Sequence, residues 1–397
     1  MRAGMGLSPY GTTADFTREM GEVFEKAGNT DNPLLAVDIA LLLMEEAIEA
    51  FGYADDSDGD IGVMAEEALE LVGEIATESR DLDAEQRQRV FEKLMERSDG
   101  EIFEGWDEFH IGLLRICAGF ADVEALRNKL RAKIEQLICQ NAGNEQKNYS
   151  TEGMLRIWFE MIQQYGTSEE AEQFVVENLR FSFFREWHIK KFMQEGNFQK
   201  VVDLALEGEA QDQALRGLVF QWKKLRYEAY KRLSLKEEQK TLAEELLLDG
   251  DFGYYDELKQ LAGGDTAALY HHLKQEFQAK KDWQSKGLYL RLIEAENDLD
   301  ELLAYVKEYP GEIERYADRL AKRFEIEVIA LYQQRIRLEA SVDSKRKEYQ
   351  HVCGIIRRYQ KIAGSARQRQ IIEELSDLYS GKPAFLDELS QIHDRSN

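Results

Sequence analysis

The sequence predicts an all-α protein, an α-solenoid of irregular tetratricopeptide-like helical hairpins. Three observations predict it. Only four prolines (Pro9, Pro33, Pro310 and Pro383) interrupt 397 residues, and the stretches between them are rich in Leu, Ala, Glu, Lys and Gln, which favour helix. Alternation of apolar and polar residues between turn signals, the mark of a half-buried strand, fails almost everywhere. Glycine- or Asx-centred turns recur between helix-patterned segments, as stacked hairpins require.

Residues 1–13 are mostly small or polar and read as a flexible N-terminus. Gly4 and Gly6 make no dinucleotide fingerprint, because no strand precedes them and Pro9 stands where a third glycine belongs. A helical-hairpin region is expected over 14–140. Its first helix begins near Ala14, with Phe16, Met20, Val23 and Phe24 on one face, and Asn29–Pro33 breaks it. Asn32 or Asp31 caps the next helix, and Pro33 suits its first turn. That helix, Leu34 to about Phe51, carries Leu35, Ile39, Leu42, Leu43, Ala47 and Ala50 at helical spacing. The acidic turn Ala54-Asp-Asp-Ser-Asp-Gly-Asp-Ile-Gly62 joins it to a helix from Ile61 to about Thr77, with Met64, Ala68, Leu71, Val72 and Ile75 inward. A short version, Ser98-Asp-Gly-Glu-Ile102, recurs 41 residues later between helices 84–97 and 102–119. Leu126 to Cys139 forms another helix, and the polar stretch 141–148 is the expected boundary.

A tetratricopeptide-like solenoid is expected over 149–392. Its turn signature is Glu195-Gly-Asn-Phe198, Asp249-Gly-Asp-Phe252, Lys280-Lys-Asp-Trp283 and Glu296-Asn-Asp-Leu299, at steps of 54, 31 and 16 residues. Gly196 and Gly250 suit the left-handed conformation that ends a helix. Asn197, Asp251, Asp282 and Asp298 suit caps, and Phe198, Phe252, Trp283 and Leu299 are expected to close the apolar seam. Leu215, Leu218, Trp222, Leu225 and Ala229 step along a long helix, Pro310 stops another, and Ile313 to Leu320 and Val328 to Tyr332 build two more. Phe385, Leu386 and Leu389 of the tail are expected to cover the end of the array.

The net charge is −25, which argues against general nucleic-acid binding. It is uneven. Residues 1–100 carry 24 acids against 8 bases, whereas 301–397 carry 16 against 17. The basic residues Lys345, Arg346, Lys347, Arg357, Arg358, Lys361, Arg367 and Arg369 cluster within 341–370, against Asp343 and Glu348. They read either as a docking surface for an acidic partner, nucleic acid or the protein's own N-terminal part, or as a solvated helix face.

No phosphate loop, nucleophile elbow or HExxH pair is present, and no cofactor is implied. Asp107 and His110 stand one helical turn apart, a spacing more often used for a hydrogen bond than for a metal. His271 and His272 point to different faces. Placing Gly59 at position 6 of a calcium loop puts Asp58 at 5 and Asp56 at 3, but also Ala54 at 1 and Ala65 at 12, so both anchoring ligands are missing. The acids then serve to solvate the turn and favour the next helix N-terminus. Cys117, Cys139 and Cys353 are far apart and read as buried thiols in a reducing compartment, not as zinc ligands or disulfides. With no signal peptide or spanning segment legible, cytoplasmic localisation is expected.

The helix-turn-helix from Leu34 to Ala76, with its Asp55–Gly62 turn, resembles the stretch that follows the zinc finger in bacterial SWIM zinc-finger proteins. The Gly196-Asn-Phe and Gly250-Asp-Phe hairpins, Tyr309-Pro310 and Pro383-Ala-Phe-Leu-Asp-Glu-Leu389 are similar to the rest of that family's C-terminal region, so the resemblance spans about residues 30 to 392. The family's CxCxnCxH zinc site has no counterpart, so neither zinc nor zinc-finger DNA contact is implied. The resemblance implies a helical-repeat scaffold or partner-binding region. Stacked hairpins make extended curved surfaces and no catalytic constellation competes, so a non-enzymatic scaffold that binds a protein or peptide partner on its concave face is the expected function. A nucleic-acid-associated protein acting through 345–369, or an enzyme using Asp107, His110 and the acidic turn, are the alternatives.

Overall fold

The computed structural model describes residues 20–24, 26–27, 30, 32–52, 57–78, 83–280, 282–342 and 345–394. Residues 1–13, the helix start at Ala14, Asn29, Asp31, Ala54–Asp56 and Asp343 lie outside them. The chain is all-α, with no strand among the described residues, and helices pack on their sequence neighbours, the connectivity an α-solenoid requires. It divides into two compact units, Met1–Ala229 and Tyr230–Asn397.

The first unit opens with a hairpin of α1 (Pro33–Ala50) and α2 (Asp60–Glu78). Asn32 caps α1, its Oδ1 accepting from the Leu34 and Leu35 amides at 3.2 and 3.3 Å, with Pro33 in the first turn. Gly59 reverses the chain at φ 79°. Ala36, Val37, Ala40, Leu41, Met44 and Ala47 form the buried face of α1; Leu35 and Leu42, expected inside, are 47% and 51% exposed. Helices α3 (Ala84–Arg97) and α4 (Asp107–Ala118) form the second pair. Helix α4 starts at Asp107 and not at Ile102, because Glu101–Phe103 is a 3-10 turn and Gly105 follows it at φ 89°. Helices α5 (Glu124–Asn141) and α6 (Asn148–Tyr165) pack together, and Leu130 and Ile134 share one core with Met154 and Ile157. The polar stretch 141–148 is thus a connection inside this unit, and the division of the chain comes later. Of the three cysteines, all free, Cys139 is exposed rather than buried.

In α6, α7 (Ser168–Glu177) and α8 (Ser182–Glu195) the core is aromatic: Phe159 packs against Phe184 and Trp187 at 5.6 and 5.3 Å. Each buried phenylalanine contributes about 1.5–3 kcal/mol. Gly196 ends α8 at φ 75°, and Asn197 caps α9 (Phe198–Gln211) through the Lys200 amide. Helix α10 (Arg216–Leu233) drives Trp222 into full burial, where its Nε1 donates to Asp212 Oδ2 at 2.7 Å.

The second unit contains α11 (Lys236–Leu248), α12 (Tyr254–Leu261), α13 (Thr266–Ala279), α14 (Trp283–Ala295), α15 (Leu299–Glu308), α16 (Ile313–Ser341), α17 (Arg346–Leu378) and α18 (Pro383–Asp394). Asp282 and Asp298 cap α14 and α15 through the Ser285 and Glu301 amides, and Asn297 takes the left-handed turn position at φ 53°. Asp251 instead closes a local turn onto the Gly253 amide. The acids around the α14–α15 turn receive tyrosine–cation pairs. Tyr255 and Lys259 converge on Glu296 at 2.9 and 2.7 Å. Tyr270 donates to Asp298 at 2.5 Å while Lys274 reaches Glu301 at 2.7 Å. Tyr316 donates to Glu294 at 2.7 Å.

Helix α17 reverses at Gly364 (φ 82°, ψ 165°). Gln368 donates to the Ile356 carbonyl at 3.4 Å, although a straight helix would hold these residues about 18 Å apart. Phe385 and Leu389 of α18 are fully buried, and Phe385 stacks on Tyr349 at 4.8 Å, so the tail covers this end of the unit as expected.

Candidate functional site

The predicted basic residues fall on α17 and its flank. Over the arm before Gly364, the helical advance of about 100° per residue sets Arg346, Lys347, Arg357, Arg358 and Lys361 on one arc, opposite buried Val352, Ile355, Ile356 and Tyr359. No acid occurs between Glu348 and Glu373. Two of the eight cations serve the fold. Arg346 donates to Glu388 at 2.7 Å and to Asp387, tying α18 to α17. Arg358 donates to Glu314 at 2.7 Å, tying α16 to α17. Lys345, Lys347, Lys361, Arg367 and Arg369 are exposed and Arg357 is half-buried. Arg367 and Arg369 stand past the reversal, so the eight residues do not form one stripe.

The enzyme candidates also come together. A cleft of about 280 Å³ at the Ser98–Gly100 turn is lined by Asp107, His110, Lys133 and Lys147. Lys147 holds Asp107 at 2.9 Å, and buried Lys133 pairs with Asp99. His110 stacks on Phe103 at 5.1 Å and donates to the Ser98 carbonyl, while its Nε2 is buried without a partner. Burial lowers the His110 pKa, against the raising effect of nearby Asp107. Asp107 is therefore spent on Lys147 and does not orient His110. Ser98 and Ser150 line the same cleft, but no side chain hydrogen-bonds the ring's Nε2 among the described residues. His272 is hydrogen-bonded to Glu244 at 2.6 Å on the surface. Among the described residues no three His, Cys, Asp or Glu side chains converge as metal ligands, and no helix is long and apolar enough to cross a membrane.

A groove of about 700 Å³ runs across α13, α14 and α15. Phe277, Trp283, Tyr289, Tyr305 and Tyr309 line it, with Lys280, Lys286 and Glu308 at its edges. Trp283 was expected to close a helix seam; it is 89% exposed, while Phe198, Phe252 and Leu299 are half-buried as seam residues are. Asp282 caps the helix and places Trp283 at its first position, as Asn197 and Asp298 place Phe198 and Leu299, so the difference in burial comes from what packs over each residue and not from the cap. Tyr305 and Tyr309 stand one turn apart with ring centres 5.0 Å apart. Tyr289 is anchored, donating to Glu301 at 2.5 Å and accepting from Gln278 at 3.2 Å.

A second aromatic groove, about 850 Å³ between α5, α6 and α7, differs in one respect. There Arg131 covers Trp158 at 5.0 Å and Arg127 covers Tyr165 at 4.7 Å, so those rings already have cationic partners. Trp283 has no such partner among the described residues. The rings of the α13–α15 groove come from three helices, so no short motif joins them in the sequence. The usable signal was an aromatic at the first position after an Asp cap. Comparisons of the chain with protein-family models, curated proteins and solved structures find no match, so the groove stands on its own geometry.

Proposed function

We propose that the protein is a non-enzymatic helical-repeat scaffold that binds a protein or peptide partner in the α13–α15 groove. The observation that carries this reading is Trp283, an indole 89% exposed on the rim of a groove that also presents Tyr305 and Tyr309. Large exposed aromatics clustered in a concavity are what partner anchors fill, and tryptophan and tyrosine dominate such contacts. The reading agrees with the partner-binding role implied by the resemblance to the C-terminal region of SWIM zinc-finger proteins. Three free thiols, one of them exposed, suit a reducing compartment, and the cytoplasm is the compartment proposed. The test is selection from a random peptide library displayed on phage, with the wild-type chain as bait and Trp283→Ala and Tyr309→Ala as counter-baits. Ligands that lose binding to both variants support the reading. A library yielding none that depends on either residue ends it.

The acid-free stretch 349–372 favours a second reading, nucleic-acid binding through α17. It ranks below the first because Arg346 and Arg358 are spent inside the fold and the chain's net charge is −25. Filter binding at low salt decides it: no retention of DNA or RNA removes this reading.

A further inference from the structure

Helix α14 carries a glycine that the chain's own packing does not use. Gly287 lies one turn after Trp283, is exposed, and lines the groove; a Cβ there would meet no atom within 4 Å. Three other helical glycines are needed for close approach, whereas Gly217, like Gly287, has open space around it. A Cβ at Gly112, Gly153 or Gly208 would come within 2.5, 2.6 or 2.9 Å of Leu69, Ile111 or Trp222. Glycine weakens a helix relative to alanine, so Gly287 costs stability without serving an internal contact. The space it leaves faces the groove and is open to a guest chain.

The polar groups around that space are mostly donors. The Trp283 indole N–H and the Tyr305 hydroxyl have no hydrogen-bond partner among the described residues, and exposed Lys280 carries no ion pair among them. Lys286 donates to the Tyr309 hydroxyl at 3.4 Å, which leaves that hydroxyl's own proton available. The walls are helices and present no strand edge, so a guest could not place a row of backbone N–H groups here. A proline-rich segment in the polyproline II conformation matches this lining. Its prolines lack N–H, its carbonyls point outward, its rings pack on aromatic faces and little entropy is lost on ordering it. Lys280 and Lys286 outweigh Glu308, and Glu301 is already held by Lys274 and Tyr289. That balance selects an acidic flank.

We propose that the groove takes an extended proline-rich peptide with an acidic flank, its backbone crossing Gly287 between Trp283 and Tyr309. This rests on the groove being a peptide site. The experiment is isothermal titration of the full chain with an oligoproline peptide ending in glutamates, its alanine counterpart, and the same oligoproline ending in lysines. Saturable binding of the first is expected, weakened at least about tenfold in either counterpart and in the Trp283→Ala and Gly287→Leu proteins. Gly287→Leu should fold with an unchanged or higher melting midpoint, so its loss of binding reports the groove and not unfolding. Absence of binding by the glutamate-flanked oligoproline, or equal binding by Gly287→Leu, overturns the proposal. Library ligands that depend on Trp283 but lack proline overturn the occupant and leave the groove reading standing. If no ligand depends on Trp283 or Tyr309, both fall.

Discussion

Two glycines show how the same residue type carries opposite meanings in helix interiors. At Gly208 a Cβ would stand 2.9 Å from the fully buried Trp222 ring and 3.0 Å from Arg185 Cδ. Gly208→Ala is expected to cost about 1–3 kcal/mol by overpacking, whereas Gly287→Ala, with open space around it, is expected to add up to about 1 kcal/mol; urea denaturation measures both. The tyrosine–cation pairs set a pH response at the same scale. Hydrogen bonds from Lys274 and Tyr289 hold the Glu301 carboxyl below its ordinary value of 4.5, and Lys259 does the same for Glu296. A depressed folded-state pKa contributes stability that is present above the ordinary value and lost as pH falls through the folded value. The urea midpoint should therefore drop as pH falls below about 4.5, and Glu301→Gln should flatten that drop. A wild-type profile no steeper than the variant's would show that these bonds do not couple to folding.

At the scale of the element, Gly364 is where α17 becomes a hairpin. Its φ of 82° with ψ of 165° is open to glycine and strained for any other residue. Gly364→Ala should cost about 1–3 kcal/mol and speed amide exchange in both arms, whereas Gly354→Ala, on the same helix with ordinary spacing to Arg358, should not. The tail helix is held mainly by its core: Phe385→Ala should cost about 3–5 kcal/mol in chemical denaturation, and Arg346→Ala less, because its guanidinium and Asp387 are exposed and the buried Glu388 keeps a hydrogen bond from Gln350. The legible parts of these elements were those set by residues a few positions apart. Asn32 with Pro33, Gly196 with Asn197, and the Asp282 and Asp298 caps all act through adjacent backbone groups. The illegible parts depended on which face meets a neighbour. Leu35 and Leu42 share helical spacing with buried residues yet point outward, and Trp283 follows the same turn signature as half-buried Phe198. Gly364 sits in an unbroken helical pattern, and its reversal becomes evident through Gln368 and Ile356 across the bend. The groove's rings meet only through packing, which periodicity along one helix cannot report.

For the whole molecule, the division of the chain has a direct test. The second unit has its own continuous core, from Ile293 through Tyr332, Ile356 and Phe385 to Ile392. A fragment of residues 216–397, which keeps α10 whole, is expected to be helical by circular dichroism and to melt cooperatively. A non-cooperative melt would show that this core does not suffice alone. The placement of the tryptophans gives the molecule a further property. Trp222 is fully buried and Trp283 lies almost entirely in water, so two of its five indoles occupy extreme environments. Collisional quenchers such as iodide reach Trp283 before any folded-state motion exposes Trp222. The chain thus carries one indole in water and one sealed in the interior, so iodide should quench the Trp283 share of the emission in the folded state and the Trp222 share only after melting, a contrast that Trp283→Phe should remove.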